Sequence, residues 1–340
     1  MRMKRWSAGV ALAATAATVA ACGSAPDEGG GSADKVAKDK PVRIAYFAAA
    51  EANSYAQAQF NGIKEATGKD KATVRLFDGN FESTKQVNQI QDATASGKYD
   101  AFIVDANDGN ALIPAIKQAK AEGITVIGAF VPIGPNLSTY KRQTNALAST
   151  VGISFGASGE SYGRLIVQAC KGKSNCKVAY LPGDNNLPLE KARTDGVKRV
   201  VAKEDNIRLS ANKEAGYLSD TGLKTAQDVL QATPDVDVIA SNDQAITGAT
   251  QAVKQAGRDG EVRLIGGGAS KQAVKQIRNG TWYGAVVNVP TSEGRVGAQT
   301  AIKAARGEKV PIERNSDELS PVGPTVTKKN LGDFMGEWSS

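Results

Sequence analysis

From Pro41 onward the chain alternates short apolar runs with longer amphipathic stretches. The apolar runs are Arg43 to Phe47, Thr73 to Phe77, Ala101 to Asp105, Thr125 to Phe130, Thr150 to Ser154, Lys177 to Leu181, Val236 to Ala240, Val262 to Ile265 and Gly284 to Val289. They lack the strict in-out alternation of strands with one wet face, so they read as strands covered on both sides. Between them, Ala56 to Thr67, Thr84 to Ser96, Leu112 to Glu122 and Gly222 to Ala232 carry apolar residues at spacings of three and four, the period of a helix with one buried stripe. Strand followed by helix, repeated, predicts an α/β fold of doubly wound parallel sheets.

Sheets of this kind bind ligands at the carboxyl ends of their strands. The segments that follow the runs, Ala48 to Tyr55, Asp105 to Asn110, Phe130 to Gly134, Pro182 to Asn186, Ser241 to Gln244 and Gly266 to Ser270, are rich in Asn, Asp, Ser and Gly. Helix caps and turns favour the same residues, so composition alone does not separate a binding rim from ordinary loop chemistry.

The N-terminus changes the picture. Arg2, Lys4 and Arg5 precede an apolar run from Gly9 to Ala21 that is too short for a mature membrane span, the pattern of an export signal. The run ends Val19-Ala20-Ala21-Cys22, which resembles the lipobox of bacterial lipoproteins, so residues 1–21 are expected to be removed and Cys22 to be lipidated. Residues 22–40 hold almost no large apolar side chain and read as a flexible tether. The expected location is the outer face of the bacterial cytoplasmic membrane, lipid-anchored.

Charge argues against nucleic acid. The formal charge is +7, and without Arg2, Lys4 and Arg5 it is +4, with the remaining basic residues scattered among acids instead of gathered on one face. Cys170 and Cys176 enclose a short loop, and in an exported chain they are expected to pair as a disulfide worth about 2 kcal/mol; a metal pair or redox motif is the weaker reading. The chain has no histidine, which removes every catalytic arrangement built on an imidazole base. Gly266-Gly-Gly follows a strand without the glycine spacing of a dinucleotide site. Carboxylates at strand ends (Glu51, Asp105, Asp184) leave carboxylate chemistry as the one formal enzymatic option. We expect no enzyme activity, cofactor or metal.

Several segments carry a more specific likeness in register. Arg43-Ile-Ala-Tyr-Phe, Asn53-Ser-Tyr55 and Asn61-Gly-Ile-Lys-Glu-Ala open the series. Gln89-Ile-Gln-Asp, Asp100-Ala-Phe-Ile-Val, Gly123-Ile-Thr-Val-Ile, Lys191-Ala-Arg193-Thr-Asp-Gly, Pro234-Asp-Val, Ser241-Asn-Asp243, Arg263-Leu-Ile-Gly and Val287-Asn288-Val-Pro290 follow. Over residues 41 to 327 the chain resembles the ribose-binding protein family of periplasmic sugar receptors. The resemblance implies two α/β lobes joined by a three-crossover hinge, residues 41–157 with 290–319 and residues 158–289 with 320–340, closing around a small molecule. It implies a monomer that passes a sugar or polyol to an ABC permease; presentation of the ligand to a receptor or sensor kinase is the alternative. Lac-repressor-type regulators share such a ligand domain but need an N-terminal DNA-binding module, and here that space holds the signal, Cys22 and the tether.

By the same resemblance, Asn53 and Tyr55 match first-lobe pocket positions, and Arg193, Tyr217, Asn242 and Asn288 match second-lobe and hinge positions. Asn offers donor and acceptor to a hydroxyl, Arg a fork of donors, and an aromatic ring a surface for the CH face of a sugar. The plainer readings are core packing for Tyr55 and Tyr217 and a helix surface charge for Arg193. Two sites depart from the pattern. Phe130-Val131 stands where ribose-type receptors place an Asp-Arg pair, and Gly268 replaces the family's sugar-binding aspartate. Three lost charged hydrogen bonds at about 1.5 to 3 kcal/mol each approach the roughly 8 kcal/mol of a micromolar complex. We therefore expect a different ligand, with Phe130 packing on it and a pocket more apolar and roomier on that side. Deoxy or methylated sugars, linear or cyclic polyols, a furanose-derived signal or an aromatic ring with a hydroxylated chain all suit it, and Arg193 keeps an acid in contention.

Overall fold

The protein is described by a computed structural model covering residues 35–340; the expected signal, Cys22 and the part of the expected tether (residues 22–40) that precedes residue 35 lie outside the described residues. Among the described residues the strands form two six-stranded sheets. The first contains β1 (Val42–Ala48), β2 (Ala72–Asp78), β3 (Ala101–Asp105), β4 (Thr125–Phe130), β5 (Ser149–Gly152) and β11 (Glu313–Asn315), in the order β11-β5-β4-β3-β1-β2. The second contains β6 (Cys176–Tyr180), β7 (Ile207–Ala211), β8 (Val238–Ala240), β9 (Arg263–Gly268), β10 (Trp282–Val287) and β12 (Thr325–Thr327), in the order β12-β10-β9-β8-β6-β7. All pairings are parallel except β10 with β12. Five strands of each sheet thus follow one doubly wound order, as expected from the run-and-helix pattern.

The central strands show why they carry no alternation: every residue of β3 and β8 is buried. Helices α1 (Ser54–Lys69) and α9 (Pro290–Ala305) cover one face of the first sheet, with Ile63, Ala66, Ala298 and Ile302 packed on Ile44 and Ile103. Helices α2 (Ser83–Ala95) and α3 (Ile113–Ala121) cover the other face through Ile90 and Ile116. The second sheet is enclosed in the same way by α4 (Phe155–Ala169) and α5 (Pro188–Val201) on one side. Helices α6 (Ser219–Ala232), α7 (Asp243–Gln255) and α8 (Lys271–Asn279) lie on the other. Helices α1 and α9 approach backbone to backbone: a Cβ on Gly62 would lie 1.9 Å from the Thr291 carbonyl oxygen, and one on Gly294 would lie 2.1 Å from that of Gln59.

The chain crosses between sheets after β5, after β10 and after a short 3-10 helix (Ser316–Leu319), which is the three-crossover connection. Val36 already belongs to the folded body, donating its N–H to Ala305 O at 3.0 Å and packing on the core of the first sheet. Cys170 and Cys176 are disulfide-bonded, with Cα atoms 5.7 Å apart. The bond joins the end of α4 to the start of β6, the end of that strand remote from its carboxyl terminus. No helix among the described residues is long and apolar enough to cross a membrane.

Candidate ligand-binding site

The carboxyl ends of the two sheets face one cavity that encloses about 750 Å³ of atom-free space, including its mouth to solvent. Asn53, Tyr55, Phe130, Arg193, Tyr217, Asn242 and Asn288 all line it. The first lobe adds Phe81, Asp105 and Asn107; the second adds Ser158, Tyr162, Leu187, Leu189 and Gln244. The lobes touch across the cavity. Phe81 stacks on Tyr217 with ring centroids 5.6 Å apart, and Gln244 Nε2 donates to Ser54 Oγ at 3.4 Å.

Capping and lining coincide at two asparagines. Asn53 caps α1, its Oδ1 accepting from the N–H groups of Tyr55 and Ala56 at 2.9 and 3.3 Å, so its amide NH₂ is the end that can address a ligand. Asn242 caps α7, its Oδ1 accepting from Ala245 N–H at 2.9 Å while Nδ2 donates to Gly216 O at 2.8 Å. That leaves Asn242 one N–H and one lone pair.

Arg193 is buried against the second lobe and is not a surface charge. Its guanidinium lies over the Phe155 ring at 5.0 Å and forms an ion pair with buried Glu190, which also accepts from Tyr217 OH at 2.6 Å. Burial opposes the arginine's charge, but Glu190 and the neighbouring tyrosines outweigh it and raise its pKa further. Burial and Glu190 together push the Tyr217 hydroxyl well above its usual range, so it serves as a neutral donor. Arg193 therefore enters the cavity with its charge already matched, while its Nε has no partner among the described residues.

Beside it, through Phe155, lies an aromatic cluster. Phe130 takes a left-handed backbone, φ 56°, at the end of β4, a strained conformation for a bulky residue, and its ring lies 4.6 Å from Tyr55 and 5.2 Å from Phe155. Phe81, at φ 57° after β2, is aimed in the same way. Tyr55 OH donates to Glu293 Oε2 at 3.3 Å; Gln59 Nε2 and Ser316 Oγ donate to the same carboxylate at 2.8 and 2.5 Å. Burial nevertheless pushes Glu293 up to about 7, against those hydrogen bonds.

The extra room expected from the glycine run is absent, because each glycine is there to admit a neighbour. A Cβ on Gly266 would lie 2.3 Å from Asp243 Oδ1, one on Gly267 1.4 Å from the Tyr162 hydroxyl and one on Gly268 2.3 Å from Trp338. Trp338, two residues from the C-terminus, fills the space over Gly268; its Nε1 donates to Gly268 O at 2.9 Å and its ring meets Tyr55 edge to face at 5.5 Å. Lys271 N–H donates to Trp338 O at 2.8 Å, and Glu337 accepts from Ser292 N–H at 2.9 Å and from the Ser292 hydroxyl. The tail is thereby tied to both α8 and α9. Sequence reasoning missed Trp338, whose only signal was an aromatic residue in a polar, glycine-containing tail.

The family described as periplasmic binding protein domain matches residues 44–309. The chain belongs to this family. The ribose import binding protein of Escherichia coli is 26% identical over 313 residues, covering 91% of this chain and 95% of that protein. The xylitol-binding protein of Mycolicibacterium smegmatis is 26% identical over 254 residues, covering 74% of this chain and 68% of that protein. A solved ABC transporter solute binding protein from Mycobacterium smegmatis with bound glycerol superposes with a TM-score of 0.75 at 26% identity, covering 88% of this chain and 99% of that one. The family and the two-lobe α/β architecture agree with the resemblance read from the sequence, and the family is one of binding domains, not of enzymes.

Proposed function

We propose that this periplasmic binding protein captures a neutral sugar or polyol between its lobes and hands it to an ABC-type permease. The observation that carries the reading is the cavity itself, where strand ends of both sheets converge and aromatic rings and amide, guanidinium and carboxyl groups line one space. Rings suit the apolar face of a sugar and the polar groups its hydroxyls. Relatives named for ribose and xylitol, and a similar structure holding glycerol, support the same class. The Glu190 partner of Arg193 favours neutral ligands over acids, because Arg193, the only cation lining the cavity among the described residues, is already compensated.

In this reading Asn53, Arg193, Asn242 and Asn288 hydrogen-bond the ligand while Tyr55, Phe130 and Tyr217 pack on it. Residues 41–157 with 290–319 and residues 158–289 with 320–340 move as lobes about the three crossovers. The protein acts as a monomer, held at the outer face of the membrane through lipid on Cys22. Thermal unfolding of the full chain in detergent, against sugars, polyols and sugar acids, tests the proposal. A ligand at a hundred times its dissociation constant adds about 2.7 kcal/mol and raises the melting temperature by several degrees. Neutral polyols are expected to do so; stabilisation by acids alone would overturn the neutral assignment.

A further inference from the structure

Asp105 is the last residue of β3, at the centre of the first sheet, and its side chain lines the cavity although the residue is only 3% exposed. Its Oδ1 is buried and has no hydrogen-bond partner among the described residues. A carboxylate buried in this way is costly unless something donates to it. The backbone around it is held in place. Buried Gln86 donates to Asp105 O at 2.8 Å and to Ala48 O at 3.4 Å and accepts from Asn107 N–H at 2.9 Å, binding the ends of β1 and β3 to the following loop.

Two further acceptors share the cavity in the same state. Asn107 Oδ1 has no partner, and its amide is oriented by donation from Nδ2 to Ala49 O at 3.2 Å; Asn288 Oδ1 also has none. Charge points the same way. Burial first, and then the like-signed Glu293, push the Asp105 carboxyl well above the usual carboxylate range, whereas Arg193 is engaged with Glu190 in the other lobe.

We propose that Asp105 is a specificity-determining residue, whose carboxylate receives a hydrogen-bond-donating group of the bound molecule, a hydroxyl or an ammonium, at the switch point of the first sheet. The inference rests on the reading of the cavity as the ligand site. It assigns the first lobe the donor-rich end of the ligand, which the unpartnered Oδ1 can accept from. Gln86 acts as the positioning residue behind it.

The test is isothermal titration of the full chain in detergent with xylitol and myo-inositol as neutral donors, D-glucosamine as an ammonium and D-glucuronate as an acid. Wild type is compared with Asp105→Asn and, as a smaller second variant, Asp105→Ser. Because the carboxylate holds no part of the protein, both variants should keep the unliganded melting temperature within a few degrees or raise it. Affinity for the best wild-type probe should fall at least tenfold. A hydroxyl at this position predicts a comparable loss for xylitol or myo-inositol; an ammonium predicts a larger loss, confined to D-glucosamine. Wild-type binding with both variants within twofold overturns this inference alone, whereas D-glucuronate as the best probe overturns the neutral assignment. A wild type that binds none of the four overturns the reading of the cavity and the inference with it.

Discussion

Replacing Glu190 by Gln removes one charge and almost no volume, which makes it the sharpest probe of how Arg193 is held. Glu190 is 1% exposed and Arg193 8%, and the carboxylate accepts from both the guanidinium and Tyr217 OH. The arginine stacks on Phe155, and its Nε has no partner among the described residues. Removing one member of a buried ion pair strands the other charge at a cost of about 3 to 5 kcal/mol. Gln keeps one acceptor oxygen, so the lower end applies. In a domain of this size each kcal/mol moves the melting temperature by roughly 2 °C, so a fall of about 6 °C is expected by calorimetry or circular dichroism.

The same change leaves the cavity with an uncompensated cation. At pH 7.5 the variant should bind D-glucuronate at least tenfold more tightly than wild type does, while affinity for neutral polyols falls with the disturbance of Tyr217. The paired replacement Glu190→Leu with Arg193→Met should recover unliganded stability to within about 1 kcal/mol, since apolar substitutes for a buried pair are often neutral. It should lose ligand binding. A Glu190→Gln variant that melts within 1 to 2 °C of wild type on this roughly 2 °C per kcal/mol scale, with no gain for the acid, would refute the claim that Arg193 depends on Glu190.

Trp338→Ala should destabilise by about 3 kcal/mol and admit bulkier sugars over Gly268, and Trp338→Phe should abolish the ligand-induced change in tryptophan emission, both read by titration with fluorescence detection. Replacing Cys170 and Cys176 by Ser should cost about 2 kcal/mol in denaturant unfolding and leave affinity unchanged, because the bond lies at the strand end remote from the cavity. Burial raises Glu293 from 4.5 to about 7 and Asp243 from 3.8 to about 6, so the folded state holds these protons more tightly than the unfolded chain. Their contribution, on the order of 3 kcal/mol each, is complete below about pH 4 and is lost as pH rises through 6 and 7. The melting temperature should therefore fall between pH 5 and 8, and Glu293→Gln should flatten the upper part of that fall.

The sheets were legible wherever burial on both faces wrote an unbroken apolar run, and β3 and β4 begin and end where the hydropathy pattern put them. Strand β7 was not, because at a sheet edge it alternates buried and wet positions and carries Arg208 and Ser210. Strands β11 and β12 escaped for another reason: three residues each, they exist only because the crossings bring them to a sheet edge. In the site, residues at strand ends and helix caps were readable because topology fixes where such positions point. The glycine run was misread, since sequence reports a missing side chain but not what enters the space. Trp338 arrives from seventy residues away, from Gly268 to the tail, by a route no local pattern encodes.

The two lobes repeat one strand order yet offer unlike chemistry at equivalent ends, and this asymmetry dictates how a ligand lies. At the central strand of the first sheet the exit residue is Asp105, whose Oδ1 has no partner among the described residues; at its counterpart β8 the chain exits through Ser241 and Asn242, both engaged with protein carbonyls, Leu181 O at 2.6 Å and Gly216 O at 2.8 Å. The second lobe instead presents Arg193, a donor whose charge is matched. On the proposed reading a bound molecule turns its donors toward the first lobe and its acceptor oxygens toward the second, with its apolar face on Tyr55, Phe130 and Trp338. A polyol, whose hydroxyls both donate and accept, satisfies both ends on that reading. On that reading a molecule spanning the cavity pairs Asp105 with a donor and Arg193 Nε with an acceptor, and the two unlike ends hold it in one orientation.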